Sequence, residues 1–127
     1  MMSLILSLAA ALTVAPAPTV DTGSGPYAPG QTEFVGWVRF ASGEFQLYAD
    51  EDQVLQPFSR PCVSGAGSRN EMRQAMQDLG GQKVRIVGRT VDWSEASRDR
   101  IEHNGSVIRN DCGGSFVVVA DDIRPAS

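Results

Sequence analysis

The sequence predicts a mainly β domain with one helix: a small five-stranded barrel carrying an extra hairpin. Three observations lead there. Gln82 to Trp93 reads as one long strand, because Val84 and Ile86 alternate with Lys83 and Arg85, the period of a sheet with one buried and one solvated face. At Gly88 the phase turns over, and Val87, Val91 and Trp93 fall on the opposite parity, so a bulge or bend is expected where the chain has no Cβ. Only Ser68 to Leu79 shows helical spacing. Strongly bent strands with a single helix suit a closed barrel better than a flat sheet.

Taken in order, residues 1–17 read as an export signal. The apolar run Leu4 to Val14 has the length of a signal core and falls short of the ~20 residues that span a bilayer. Ala15-Pro16-Ala17 supplies small residues for cleavage, and no stable transmembrane anchor is expected. Residues 18–32, rich in proline and glycine, are expected to form a disordered linker. The domain is then expected to span residues 33–123, followed by a short tail at 124–127.

Glu33 to Phe40 is aromatic and β-branched with Gly36 in its interior, and Ala41-Ser42-Gly43 turns it into Glu44 to Ala49, a hairpin. Phe45, Leu47 and Ala49 define its inward face; Glu44, Gln46 and Tyr48 define the outward one. Asp50-Glu51-Asp52 is read as a solvated turn, since three adjacent carboxylates cannot all reach one calcium ion. Pro57 and Pro61 confine any strand between Val54 and Val63 to a short edge, and Ser64 to Gly67 is expected to be flexible. Ser68 and Glu71 form a capping-box pattern ahead of Met72, Ala75, Met76 and Leu79, one apolar stripe ended by Gly80-Gly81. After the long strand and a polar loop, Asn104-Gly105 marks a type I′ turn that pairs Ile101 with Ile108 and Glu102 with Val107. Ser115 to Ala120 is a nearly continuous apolar strand of the kind found at a sheet centre.

This order of elements, with bends at Gly36 and Gly88, resembles the OB-fold, a five-stranded Greek-key barrel with its helix between the third and fourth strands. In size, signal and cysteine number the chain is similar to small exported OB-fold proteins of bacteria, mostly uncharacterised. The resemblance implies a binding face on the second and third strands, flanked by the loops after strands one and four. Here those are the strand around Phe45 to Tyr48, the turn Ala41 to Gly43, and the excursion Ser94 to Arg109.

Charge and chemistry narrow the function. Of 127 residues, 11 are basic and 15 acidic, a net charge of −4, which disfavours nucleic acid as the main partner. Cys62 and Cys112 are too few and too isolated for a zinc site. In an exported chain they are expected to form a disulfide, a free reactive cysteine being the alternative. A thiol nucleophile needs a positioned histidine, and the one histidine, His103, adjoins the Asn-Gly turn, where a solvated hairpin residue is the simpler reading. Gly65-Ala66-Gly67 before the helix, with Arg60, Arg69 and Arg73, could cradle an anion, although glycines precede helices for steric reasons too. Tyr48 is the expected stacking residue, whereas Trp37 and Trp93 fit the core.

No carboxylate pair, metal cluster or triad stands out, so no enzyme and no cofactor are expected. The reading is a secreted or periplasmic binding module whose partner, an unknown protein or small ligand of the cell envelope, contacts Glu44, Gln46, Tyr48 and His103. An acidic inhibitor of an envelope enzyme, such as a lysozyme or protease, is the alternative.

Overall fold

The computed structural model describes residues 24–56, 59–94 and 100–126; the expected signal, residues 1–17, lies outside them, as do residues 18–23 of the expected linker. β1 (Glu33–Ala41) and β2 (Glu44–Tyr48) pair antiparallel across the Ser42-Gly43 turn, where both residues take positive φ. β3 (Val63–Ala66), α1 (Arg69–Leu79), β4 (Lys83–Asp92), β5 (Ile101–His103), β6 (Ser106–Ile108) and β7 (Phe116–Pro125) follow. Five of the strands close a barrel in the order β1-β2-β3-β7-β4, and β4 returns to β1 through the register Glu33↔Val87 to Trp37↔Lys83. Only β3 and β7 run parallel. The expected mainly β barrel with one helix and a separate hairpin is therefore what the chain forms.

Phe34, Val38, Phe45, Leu47, Val63, Val84, Ile86, Phe116 and Val118 fill the interior. Each such side chain removed from water stabilises by about 1.5–3 kcal/mol. α1 covers the barrel with Met72, Ala75 and Leu79, while Met76, the fourth member of the expected stripe, is 53% exposed. The Asn104-Gly105 turn forms with positive φ at both residues, and β5 and β6 pair in the expected register. The hairpin tip docks on α1 through a 3.0 Å bond donated by the Arg69 N–H to the Asn104 carbonyl.

Two glycines are there because strands approach closely. A Cβ on Gly36 would collide with the Tyr48 carbonyl and the Tyr27 hydroxyl, and one on Gly88 with the Val119 carbonyl. The expected irregularity does fall at Gly88, but the extra residue is on the partner strand: Val87 pairs with Asp122 and Gly88 with Ala120, leaving Asp121 bulged. β4 keeps its inward parity from Val84 to Gly88 and changes it only beyond that residue. Val87 faces solvent, contrary to expectation, while Val91 and Trp93 still pack against the core.

Three boundaries and one capping contact change. Residues 24–32 are packed rather than disordered: Tyr27 is buried, its hydroxyl donates to the Val35 carbonyl at 2.8 Å, and the Gly30 N–H donates to Thr90 Oγ1 at 2.7 Å. Composition could not show this, because one tyrosine supplies most of the buried area. Burial raises the Tyr27 hydroxyl pKa above the ordinary tyrosine value, with the Asp50 charge acting in the same direction. The third strand is Val63 to Ala66, not an edge segment before it, and it sits between β2 and β7. Its small residues are required by space, since a Cβ on Gly65 would enter the Phe45 ring. The end of the domain is also later than expected, for β7 continues to Pro125 opposite Val84. Finally, Ser68 Oγ accepts from the Glu71 N–H, but the Glu71 carboxylate reaches the Ile123 N–H at 2.9 Å instead of turning back to Ser68.

Candidate functional site

The alternation along β2 correctly separates its two faces. Phe45 and Leu47 point into the barrel, and Glu44, Gln46 and Tyr48 lie beside Ala41, Arg39 and Trp37 on the outside. That outer face is nevertheless not solvated. Tyr48 is 1% exposed and packs with Cys62, Cys112 and Val54. The expectation of an exposed Tyr48 beside exposed Glu44 and Gln46 is corrected by a second layer, which segments remote in sequence lay over the strand.

Glu44 organises that layer. Its fully buried carboxylate accepts the N–H groups of Arg109 (2.6 Å), Asn110 (2.9 Å) and Asp111 (3.1 Å), together with the Gln46 amide at 2.8 Å. A buried carboxylate is tolerable when donors surround it in this way. The chain so captured leads into Cys112, whose N–H donates to Ser64 Oγ at 3.0 Å and whose sulfur is bonded to Cys62. Arg60, two residues before Cys62, donates to the Asp111 carbonyl at 2.5 Å. Glu44, the disulfide and Arg60 thus fix one edge of a cleft.

This first cleft, of about 380 Å³, is lined by Arg39, Ser42, Gln46, Tyr48, Arg60 and Asp111. A second and larger groove, about 600 Å³, opens on the other side of the same turn, between α1 and β6. Ser42 borders both. Of the expected contact residues, Gln46 and Tyr48 form a wall of the first cleft and Glu44 lies buried behind it. His103 lines neither; its ring is partly covered, with Nε2 3.4 Å from the Asn104 amide. The structure does not join it to the β2 face.

Charge is distributed unevenly. Five arginines, Arg39, Arg60, Arg69, Arg73 and Arg109, border these two openings in a chain whose total is −4. The described salt bridges are elsewhere, at Arg85–Glu33, Arg100–Glu102 and Arg124–Asp122. The sequence pattern groups Arg60, Arg69 and Arg73 around a glycine cradle. The cradle does not form, because Gly65 and Ala66 are strand residues paired with β7; Arg60 faces one cleft and the other two face the groove. Arg39 and Arg109 carried no signal of their own, since only the folded hairpin and loop bring them to the same end.

Trp37, expected in the core, is half-buried on the outer face with the Lys83 ammonium 5.1 Å from its ring centroid, a cation–π contact that occupies the ring. Trp93 packs against the core as expected. Among the described residues, no cluster of His, Cys, Asp and Glu could hold a metal ion, and no helix is long and apolar enough to cross a membrane. No known family model and no curated protein sequence matches the chain, so these residues carry the functional reading by themselves.

Proposed function

We propose that the protein is a secreted or periplasmic binding module of OB-like fold, akin to the small exported OB-fold proteins of bacteria, and that its partner is an anionic molecule of the cell envelope. The observation that carries the reading is the gathering of five arginines around the β1–β2 turn of a chain with a net charge of −4. Among the described residues the five guanidinium groups have no carboxylate partner, and apart from Arg60, which donates to the Ser59 and Asp111 carbonyls, they present their donors to a ligand's carboxylates or phosphates. The disulfide agrees with an oxidising compartment, and the apolar segment at residues 1–17 with export. Binding, not catalysis, is the activity in this reading.

Capture from a cell-envelope extract with the oxidised protein tests it. The expected result is a stoichiometric partner that washes off as salt rises and is not retained by an Arg39→Gln/Arg60→Gln double variant. No partner at any salt, or capture indifferent to those arginines, would refute the reading.

The alternative, an inhibitor of an envelope enzyme, is favoured by one specific observation. Leu55 is 82% exposed at the end of the acidic 3₁₀ turn Glu51–Leu55, an apolar knob of the size that fills an enzyme pocket. Envelope lysozymes and proteases that remain fully active at a large molar excess of the protein would exclude it.

A further inference from the structure

The groove between α1 and β6 has three properties that together specify an occupant. First, one stripe of the helix, Arg69, Met72, Arg73 and Met76, forms its long wall, and Val107 and Arg109 stand opposite. Along the stripe cationic and apolar side chains alternate. Methionine is the apolar side chain that adapts most readily to a varied guest. Second, three of the charges of α1 run against its own macrodipole, and only Glu71 in the first turn runs with it. Arg69 and Arg73 lie towards its N-terminus and Asp78 near its C-terminus, an order unfavourable to the helix alone. With Arg109 across the groove, three guanidinium groups without a carboxylate partner among the described residues face one cavity of about 600 Å³.

Third, the strand that borders the groove has a free edge. Among the described residues β6 pairs only with β5, and next to the two-residue turn the His103↔Ser106 pair exchanges both hydrogen bonds. The following pair, Glu102↔Val107, therefore turns the Val107 N–H and carbonyl away from β5, the carbonyl towards Gly43, and among the described residues no backbone bond from another element reaches them. A main chain laid along β6 would satisfy both groups.

We propose that this groove binds an extended acidic segment of a partner protein. The segment adds to the edge of β6, seats one apolar side chain against Met72 and Met76, and places carboxylates on Arg69, Arg73 and Arg109. An acyl chain would leave the Val107 amide and carbonyl unbonded at a covered position, which is costly. A nucleic acid would find no aromatic side chain along this wall on which to stack a base. The proposal rests on the binding-module reading and adds the site and the class of partner.

Selection of a random dodecapeptide display library on the oxidised full-length protein tests it. The expected enrichment is for sequences with Asp or Glu on both sides of an apolar residue. A labelled peptide from that set should bind about tenfold more weakly to Arg69→Gln, Arg109→Gln or Met76→Asp, and with unchanged affinity to Arg85→Gln, whose arginine is already paired with Glu33. All the substituted side chains are exposed, so folding is preserved. No enrichment, enrichment without acidic bias, or binding unaffected by the groove variants would overturn the proposal. So would binding of phosphatidylglycerol vesicles, lost in the same variants, in the absence of any selected peptide. Should these results occur while envelope capture still depends on Arg39 and Arg60, the acidic-peptide groove fails and the binding module stands.

Discussion

Glu44 is a side chain used as backbone. The segment from Arg109 to Asp111 belongs to no strand, and three successive amides that a sheet would satisfy are satisfied by one carboxylate. Removing it strands donors inside the protein, and an unmet buried donor costs more than a made bond returns. Glu44→Ala is expected to destabilise by about 3 kcal/mol or more, read from the urea midpoint. Glu44→Gln, which retains an acceptor oxygen, should cost less; equal stability of wild type and Glu44→Ala would remove the residue from this role. The strand pattern showed which face Glu44 occupies and could not show what covers it. Alternation reports direction relative to the barrel, whereas the cover comes from residues 109–112, a contact without local periodicity. The same limit applied to Tyr48, whose outward direction was legible and whose burial under the disulfide was not.

At the scale of elements, α1 is joined to β7 by Glu71, which accepts the Ile123 N–H just beyond the Asp121 bulge. Desolvation raises the Glu71 pKa above the ordinary glutamate value. The Asp122 and Asp121 charges add to the rise, while the Ile123 bond and Arg124 oppose it. The folded state thus holds this proton to higher pH than the unfolded chain does. Stability should consequently fall as pH rises from the ordinary glutamate value through the raised one, and level off once both states are ionised. Urea midpoints measured across mildly acidic to neutral pH should show this decline in the wild type and a flatter curve in Glu71→Gln; superimposable slopes would refute it. Elements with strong local chemistry were legible: the Asn104-Gly105 hairpin, the helix begun by Ser68, the long β4. β3 was not, because Val63-Ser64-Gly65-Ala66 has the composition of a loop and is a strand only because the barrel leaves no room for larger side chains. The groove of α1 and β6 was half legible, since Arg69 and Arg73 stood out but the opposite wall depended on where the hairpin docked.

The whole molecule has two layers on one side: the barrel, and a cover held by Glu44 and the Cys62–Cys112 bond across 50 residues of chain. On the chain-entropy model, closing a loop of that length stabilises by roughly 4 kcal/mol. Reduction of the folded protein is expected to lower its unfolding free energy by about that amount and to move the urea midpoint accordingly. An unchanged midpoint after verified reduction would mean that the cover holds without the bond.

β7 has a further consequence, for the timing of folding. It is the neighbour of both β3 and β4, and it is the final barrel strand to be synthesised. A nascent chain that has emerged only to Gly114 has two strands waiting for a third, and the pairs Gly65↔Val118 and Val84↔Pro125 that complete the circle do not yet exist. Such non-local closure is slow, on the order of milliseconds to seconds for small β domains. Until this last strand is in place, the barrel stays open between β3 and β4.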